Sequence, residues 1–405
     1  MYRGLGASTI LLTAFLVALS SGAALGAGAT QEEVRALWVQ RTSLTSAQAV
    51  TSLVESAQAA GFNTLLVQVR GRGDAYYDSR LEPRGAALSR QDPSFDPLAL
   101  AIAAGHRAGL RVHAWVNVNL VAEAEPPMAQ DHVVYVHPEW LMVPRELAVE
   151  MAGLDPRRPE YLEALLRYAR THSDQIEGLY LSPIQPAAAD YTVGIIVDIA
   201  ARYAVDGIHL DYARFPNDDF DYSQKALAQF RADVVGHVSV AERRDYDKRA
   251  EGRLLFYTQM FPQRWQEFRR ARLTALVVRL RSAVKSKRRD VVLSAAVWPD
   301  PLEAANRRFQ DWRSWMRSSL LDVVCPMAYT ADPALFRSQV AGVRRIAGNK
   351  PVWAGIGAYH LSASETIQNI AAARRLGAQG TILFSYDNLD REYLSTVGRG
   401  AFERQ

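Results

Sequence analysis

The sequence predicts an α/β fold, a (β/α)8 TIM barrel with long insertions after its third and fourth strands. Short β-branched or apolar runs recur eight times along the chain. Each is followed by loop sequence and then by a helical pattern, which indicates βα units and a parallel sheet. Eight such units are the number that closes this barrel.

The predicted strands and helices alternate in chain order. The eight strands are residues 34–40, 64–70, 111–118, 207–212, 291–298, 322–329, 351–357 and 380–386. Helices with the apolar spacing of crossovers are predicted at 46–60, 97–108, 268–284, 333–347 and 364–376. Gly61 and Gly109 follow the first two helices, as is typical of helix C-caps.

Two connections are much longer than the others. Residues 119–206 separate strands three and four, with helices predicted near 159–172 and 193–203. Residues 217–290 follow strand four and carry Arg-rich helical sequence. Long insertions in loops cost little stability and often shape a site. We therefore expect residues 30–405 to form one barrel domain with insertions at about 119–206 and 217–290.

Residues 1–29 have the layout of a secretory signal peptide, with Arg3, an apolar run at 10–19 and small residues after it. The apolar run is shorter than the roughly 20 residues that span a bilayer. The mature protein is therefore expected to be secreted or periplasmic, with no membrane partner after cleavage. Cys325 is the only cysteine, which excludes an internal disulfide.

The net charge of +4 is small for 405 residues, and much of the positive excess lies between residues 231 and 289. Charge in helical sequence of this kind is typical of a solvated helix face. No nucleic-acid-binding motif is present, so nucleic acid is not a predicted partner.

Polar and aromatic residues gather where the predicted strands end. Residues two apart on a strand share a face, so Gly207, His209 and Asp211 point into the barrel together. Asp211 lies at the carboxyl end of its strand, where the catalytic groups of these barrels lie. The predicted substrate-binding residues on this rim are Trp38, Arg70, Asn117, His209, Arg214, Trp298, Tyr329, Tyr386 and Asp387. Sugars need polar partners for their hydroxyls and rings to stack on, so a glycan is the predicted substrate.

Residues 205–216, with the sequence VDGIHLDYARFP, resemble the hallmark of the bacterial glycosyl hydrolase-like 10 family. Further matching segments are RALWV at 35–39, GFNT at 61–64, VQVRGRGDAYY at 67–77, HAWVN at 113–117 and WQEFRR at 265–270. The resemblance implies a barrel fold, export and action on glycans, in some relatives on peptidoglycan strands. Asp211 is placed like the nucleophilic Asp of the alpha-amylase family, but His209 stands where that family has an arginine. An acidic Glu at strand five is also missing.

Most glycosidases use two carboxylates, one protonated and one ionised. Asp211 is expected to be the ionised nucleophile or base, because His209 and Arg214 would hold its pKa down. Asp300 is expected to be the acid, since Trp298 and two prolines beside it would desolvate it and raise its pKa. Asp387 is the next alternative for the acid.

Two other functions stay open on the sequence. One is a catalytically silent glycan-binding barrel, and the other is a metal-dependent hydrolase or deacetylase. The chain has no His-x-His or His-Glu-x-x-His spacing of a zinc site, and neither a metal nor a cofactor is predicted. The segment Gly71-Arg72-Gly73-Asp74 lacks the pattern of a phosphate-binding loop and is predicted to be a turn.

Overall fold

A computed structural model describes residues 32–403 of the chain. The predicted signal peptide at residues 1–29 lies outside this range, so its cleavage and the export of the protein stay predictions. The described residues from Glu33 onward belong to one compact unit. No helix within residues 32–403 combines the length and the apolar composition needed to cross a membrane.

Eight parallel strands close into a barrel, which confirms the predicted fold class. The strands are β1 (Val34–Val39), β2 (Thr64–Arg70), β3 (Arg111–Asn117), β4 (Leu120–Ala122), β5 (Leu179–Tyr180), β6 (Gly207–Asp211), β7 (Val292–Val297), β8 (Val323–Ala328), β9 (Trp353–Ile356) and β10 (Gly380–Leu383). All except β4 and β5 belong to the barrel, in which β10 pairs with β1 to complete the ring. Strands β4 and β5 pair antiparallel within the first insertion.

Helices cover the barrel and build the two insertions. They are α1 (Ala47–Ala59), α2 (Pro97–Arg107), α3 (Val133–Val136), α4 (Ala148–Ala152), α5 (Pro159–Thr171), α6 (Pro186–Arg202), α7 (Gln224–Val235), α8 (Val240–Ala250), α9 (Phe256–Met260), α10 (Pro262–Lys287), α11 (Pro301–Arg307), α12 (Trp312–Arg317), α13 (Pro333–Ala347), α14 (Ala363–Arg375) and α15 (Arg391–Val397). Helix α1 begins where the Ser46 side chain accepts a hydrogen bond from the Ala49 N–H. Gly61 follows it with φ +76°, which suits a glycine after a helix end.

Alternation along the strands separates the barrel interior from the helix-facing surface. Side chains at every second position, among them Trp38, Trp115, Cys325 and Trp353, form an apolar cluster of their own inside the barrel. Gly207 belongs to the same interior, and a Cβ there would lie 2.2 Å from Nδ1 of His113. Side chains therefore fill this part of the barrel interior below the rim, as in other barrels of this kind.

The Arg-rich part of the second insertion is largely neutralised within the protein. Arg231 pairs with Asp247 at 2.7 Å, Arg264 with Asp233 at 2.9 Å, and Arg281 with Asp322 at 2.9 Å. These pairs lie on the protein surface and fit the predicted solvated helix face.

Candidate active site

A pocket opens at the carboxyl end of the barrel, with a volume of about 600 Å³ including its mouth. It lies in the size range of small-molecule sites. Its lining consists of Trp38, Gln40, Arg41, Gln68, Arg72, Trp115, Asp211, Tyr212, Arg214, Ala296, Met327, Tyr329 and Phe384. Four of the residues predicted from sequence are therefore brought together here, namely Trp38, Asp211, Arg214 and Tyr329. Asp211 is the one carboxylate in this lining among the residues that the structure describes.

Asp211 is the last residue of β6 and lies in register with Asn117 of β3. Its side chain is buried, and Oδ1 accepts a hydrogen bond of 2.7 Å from the Tyr212 N–H. Tyr212 has φ +49°, a conformation that non-glycine residues adopt rarely and mainly at functional sites. Burial raises the pKa of Asp211 to about 6, although Arg214 and the Tyr212 N–H lower it. The expected low pKa of Asp211 is therefore wrong, because desolvation outweighs the neighbouring charge.

His209 lies one layer below Asp211 and does not line the pocket. Its Nε2 accepts a hydrogen bond of 3.0 Å from the Trp38 indole, and its Nδ1 lies 2.9 Å from the Ser294 hydroxyl. Burial lowers the pKa of His209 to about 3, so the ring is neutral. It therefore cannot supply the positive charge that was expected to act on Asp211. Its contacts orient Trp38, which does line the pocket.

Arg214 joins the pocket to a carboxylate that sequence reasoning missed. Its guanidinium lies 4.5 Å from the Tyr212 ring centroid, and Nη2 lies 2.7 Å from Oε1 of Glu177. The other Glu177 oxygen accepts a hydrogen bond from the Tyr180 hydroxyl. Burial acts to raise the pKa of Glu177, but Arg214 and Tyr180 bring it below its usual value. Glu177 precedes β5 in the first insertion, and no local pattern in the sequence links it to the end of β6.

Arg41 and Arg72 follow β1 and β2 and also line the pocket. Oε1 of Glu123 lies 3.3 Å from Arg41 Nη2 and 3.2 Å from Arg72 Nε, so one carboxylate links both cations. Arg41 also donates a hydrogen bond of 3.1 Å to Gln68. Sequence reasoning missed both arginines. The same sequence feature that identified Arg214 could have identified them, because each lies shortly after the end of a strand.

Aromatic rings form much of the pocket wall. Tyr329 and Phe384 are stacked with centroids 5.3 Å apart, and Trp38 meets Tyr329 edge-on at 6.1 Å. Trp115 completes this wall next to Phe384 at 6.3 Å. The rings come from strands β1, β3, β8 and the end of β10, so barrel closure assembles them. Trp38 and Trp115 are almost fully buried, so the partly exposed rings of Tyr329 and Phe384 are the ones that can stack on the C–H face of a sugar ring.

Arg70 and Asn117 support the rim from below instead of lining the pocket. Arg70 is fully buried and pairs with Glu82 at 2.8 Å, and it donates hydrogen bonds to the carbonyls of Asn117 and Val118. Asn117 Nδ2 donates a bond of 2.7 Å to the Gly71 carbonyl. Both side chains are committed to fixing the loops after β2 and β3, so the structure does not place them against a substrate.

Trp298, Tyr386 and Asp387 lie outside the pocket lining. Trp298 is covered by the Arg308 guanidinium, 4.3 Å from its centroid. Tyr386 begins a 3-10 turn and packs against the main core. Asp387 accepts hydrogen bonds from the Gln40 N–H at 2.7 Å and from the Thr42 and Ser43 hydroxyls, which fixes the loop after β1. β10 ends at Leu383, earlier than predicted, because these residues leave the sheet to form this turn.

Asp300 is exposed and caps a helix. Its Oδ1 accepts hydrogen bonds from the N–H groups of Leu302 at 2.8 Å and Glu303 at 2.9 Å, at the start of α11. The expected desolvation by Trp298 and the prolines is therefore wrong, because Pro301 turns the chain into a surface helix. Asp300 is also absent from the pocket lining, so the structure does not bring it together with Asp211.

Within residues 32–403, no three His, Cys, Asp or Glu side chains lie close enough together to hold a metal ion.

Comparison with known proteins agrees with this architecture. The sequence profile of the glycosyl hydrolase-like 10 family matches residues 33–366. Similar proteins include glycosyl hydrolase YngK of Bacillus subtilis, 23% identical over 303 residues covering 70% of this chain and 49% of that protein. Glycosyl hydrolase DigH of Escherichia coli K12 is 24% identical over 310 residues, covering 70% and 58%. The chain thus spans about half the length of these curated relatives.

Solved structures show the same fold. The glycoside hydrolase domain of PgaB (BpsB) from Bordetella bronchiseptica superposes with a TM-score of 0.62 and 19% identity, over 92% of this chain and 100% of that domain. At this identity the likeness supports the barrel alone. The family match covers most of the sequence, and on that basis the chain belongs to the glycosyl hydrolase-like 10 family.

Proposed function

We propose that this protein is an exported glycoside hydrolase that cleaves a polysaccharide, such as the peptidoglycan glycan strand of the cell wall, with Asp211 as proton donor. The observation that carries the proposal is a buried carboxyl with a pKa of about 6 in an aromatic pocket at the carboxyl end of the barrel. The names of YngK and DigH as glycosyl hydrolases support the reaction class.

The chemistry follows from that pKa. Cleavage of a glycosidic bond requires a proton on the departing oxygen, and an acid is most effective when its pKa lies near the working pH. A carboxyl with a pKa of about 6 is protonated in mildly acidic solution and partly so at neutral pH. This reverses the role expected for Asp211, which changes from ionised group to acid.

The remaining lining groups suit a sugar. Arg41, Arg72 and Gln68 present donors and acceptors to hydroxyl or acyl oxygens. Tyr329 is partly exposed in the pocket and offers its ring for stacking. The pocket thus combines an aromatic wall with polar groups that can fix the orientation of a ligand.

Glu177 and Arg214 act on Asp211 as positioning residues. The positive charge of Arg214 lowers the pKa of Asp211, and the negative charge of Glu177 raises it. Because the two are ion-paired, their opposing effects partly cancel and leave burial as the dominant influence. Burial therefore remains the main reason that the pKa of Asp211 is raised to about 6.

A second candidate function is a catalytically silent glycan-binding barrel. The observation that favours it is the pocket lining, which holds one carboxylate within the described part of the chain, whereas most glycosidases use two. Its aromatic wall and arginines would bind a sugar equally well without a reaction.

The test is incubation of the mature protein with purified peptidoglycan and a panel of polysaccharides, followed by mass spectrometry of released sugars. Asp211→Asn serves as the control. New reducing ends formed by the wild type and absent with Asp211→Asn support the hydrolase. Binding to a glycan with no release by the wild type supports the silent barrel.

A further inference from the structure

A second pocket, larger than the first, lies between helix α10 and the loop that follows β6. Its volume is about 750 Å³ including its mouth, and it is lined by Arg145, Asp218, Asp219, Tyr222, Thr258, Gln259, Pro262, Trp265, Gln266 and Arg269. We call it the α10 pocket. The loop at 212–222 takes part in both pockets. Tyr212 and Arg214 line the first, whereas Asp218, Asp219 and Tyr222 line the α10 pocket.

The two pockets lie on the same face of the barrel. The loop at 212–222 leaves the carboxyl end of β6. Helix α10 begins at Pro262 and leads back to the start of β7, so its first turns also lie at the carboxyl end of the strands. Gln266 and Trp265 belong to those first turns. A linear ligand could therefore follow the loop from Asp211 to the α10 pocket.

The floor of the α10 pocket is rigid. Arg269 is almost fully buried, and its guanidinium lies 4.7 Å from the Trp265 ring centroid and 4.2 Å from that of Phe309. Its Nη1 donates hydrogen bonds to the carbonyls of Asp218, at 2.6 Å, and Phe220. These contacts fasten the loop to α10, so the pocket is formed before a ligand arrives. Preformed sites lose less entropy on binding.

The rim of the α10 pocket carries polar groups without internal partners. The side chains of Arg145, Asp219, Gln259 and Gln266 are exposed, and none forms a hydrogen bond or ion pair with another described residue. The Arg145 guanidinium instead lies over the Tyr222 ring at 6.0 Å. The nearby helices differ, because their charged side chains are mostly paired. These unpaired amide, carboxylate and guanidinium groups can donate hydrogen bonds to the hydroxyls of a pyranose and accept hydrogen bonds from them.

We propose that the α10 pocket is an additional subsite for a pyranose ring of the same glycan chain, distant from the ring cleaved at Asp211. This inference rests on the proposed function, because it assumes that the first pocket holds a glycan. The substrate is then a polymer long enough to reach both pockets. Short fragments occupy the first pocket alone and bind less tightly.

The test compares long and short glycans with a variant of the rim. Asp219→Ala, Gln259→Ala and Gln266→Ala are combined, and Gln263→Ala is the matched control, since Gln263 is exposed on α10 outside the pocket lining. All are made in the Asp211→Asn background to prevent turnover. The probes are amidase-released peptidoglycan glycan strands and the disaccharide obtained from them, and affinity is measured by calorimetry.

We expect the triple variant to lose about tenfold in affinity for long strands, the scale of one or two net hydrogen bonds. Its affinity for the disaccharide should match that of the Gln263→Ala control. Equal losses for both probes, no loss for either, or no binding of long strands by the parent would overturn the subsite.

Cleavage by the otherwise wild-type protein is measured separately, so that the two proposals can fail independently. If the protein releases sugars and the triple variant behaves like Gln263→Ala, the subsite is overturned and the hydrolase stands. If the long strands bind through the α10 pocket but no sugar is released, the subsite stands and the hydrolase is overturned.

Discussion

The ends of β6 and β7 place an aspartate on the same rim with opposite outcomes. After β6, Asp211 is buried, with a pKa raised to about 6. After β7, Asp300 is exposed and its carboxylate caps α11. The difference arises from the connecting loops. Tyr212 follows Asp211 in a left-handed conformation with φ +49°, whereas Pro301 follows Asp300 and begins the surface helix α11. A carboxyl group at a strand end is desolvated only where the surrounding structure excludes water from it.

The largest expected effect separates these two aspartates. Asp211→Asn should lower hydrolysis of the responsive glycan by about 10³-fold or more while the fold is kept, as expected when the acid of a reaction is removed. Initial rates of sugar release and circular dichroism measure the two quantities. A variant with near-normal turnover would remove Asp211 from the mechanism.

The next effect concerns two tyrosines that differ in the same way as the aspartates. Tyr329 lines the pocket, and Tyr386 packs in a turn outside it. Tyr329→Ala should weaken glycan binding by about 1 to 3 kcal/mol, because a stacking surface is lost. Tyr386→Ala should instead lower the melting temperature with little change in the affinity of the folded protein. Similar losses of affinity in both variants would contradict the assignment of Tyr329, and not Tyr386, to the ligand-contacting wall of the pocket.

A smaller effect should appear in the pH profile. If Asp211 donates the proton, kcat/KM falls as the pH rises through about 6, where the group loses its proton. Glu177 raises this pKa, so Glu177→Gln should move the falling limb to lower pH. A rate that rises through pH 6 would instead assign Asp211 the ionised role. If the falling limb of the pH profile is unchanged in Glu177→Gln, Glu177 only forms the ion pair with Arg214 and does not affect the pKa of Asp211.

The smallest effect tests the helix cap. Asp300→Ala should lower the free energy of unfolding by about 0.5 to 2 kcal/mol, and Asp300→Asn should lower it much less because Asn also caps helices. Denaturant titration measures both. Neither change should alter hydrolysis. If Asp300→Asn selectively impairs substrates with poor leaving groups, the acid role returns to Asp300.

Local patterns explain why the fold was predictable. The predicted helix at 333–347 coincides with α13, and each of the eight predicted strands contains an observed one. These elements depend on the spacing of apolar residues over a few turns or a few strand positions. Gly61 also marks a helix end by local geometry alone. The barrel follows once eight such units are counted in order.

The candidate site was harder to predict than the fold, because it is formed by contacts between segments that are distant in the sequence. The pKa of Asp211 is set by burial under side chains from other strands, which the spacing around Asp211 does not reveal. Glu177 reaches Arg214 from within an insertion. Arg70 pairs with Glu82 and so turns from a predicted ligand into a support. The position of a residue at a strand end predicts that it lies near the rim. It does not predict whether its side chain forms hydrogen bonds or ion pairs with other residues of the chain.

Within the motif from Gly207 to Asp211, some residues pack the barrel interior and another lines the pocket. A side chain at Gly207 would collide with the His113 ring, and His209 holds Trp38. Gly207 and His209 are therefore needed for packing inside the barrel. Asp211, at the carboxyl end of β6, has no such packing role. After a gene duplication, one copy could carry a different polar residue at position 211. It would still fold, because every other residue of the motif is unchanged. Such a pseudoenzyme would match the family profile as well as its active sibling, so residue 211 must be inspected individually before activity is inferred from the match.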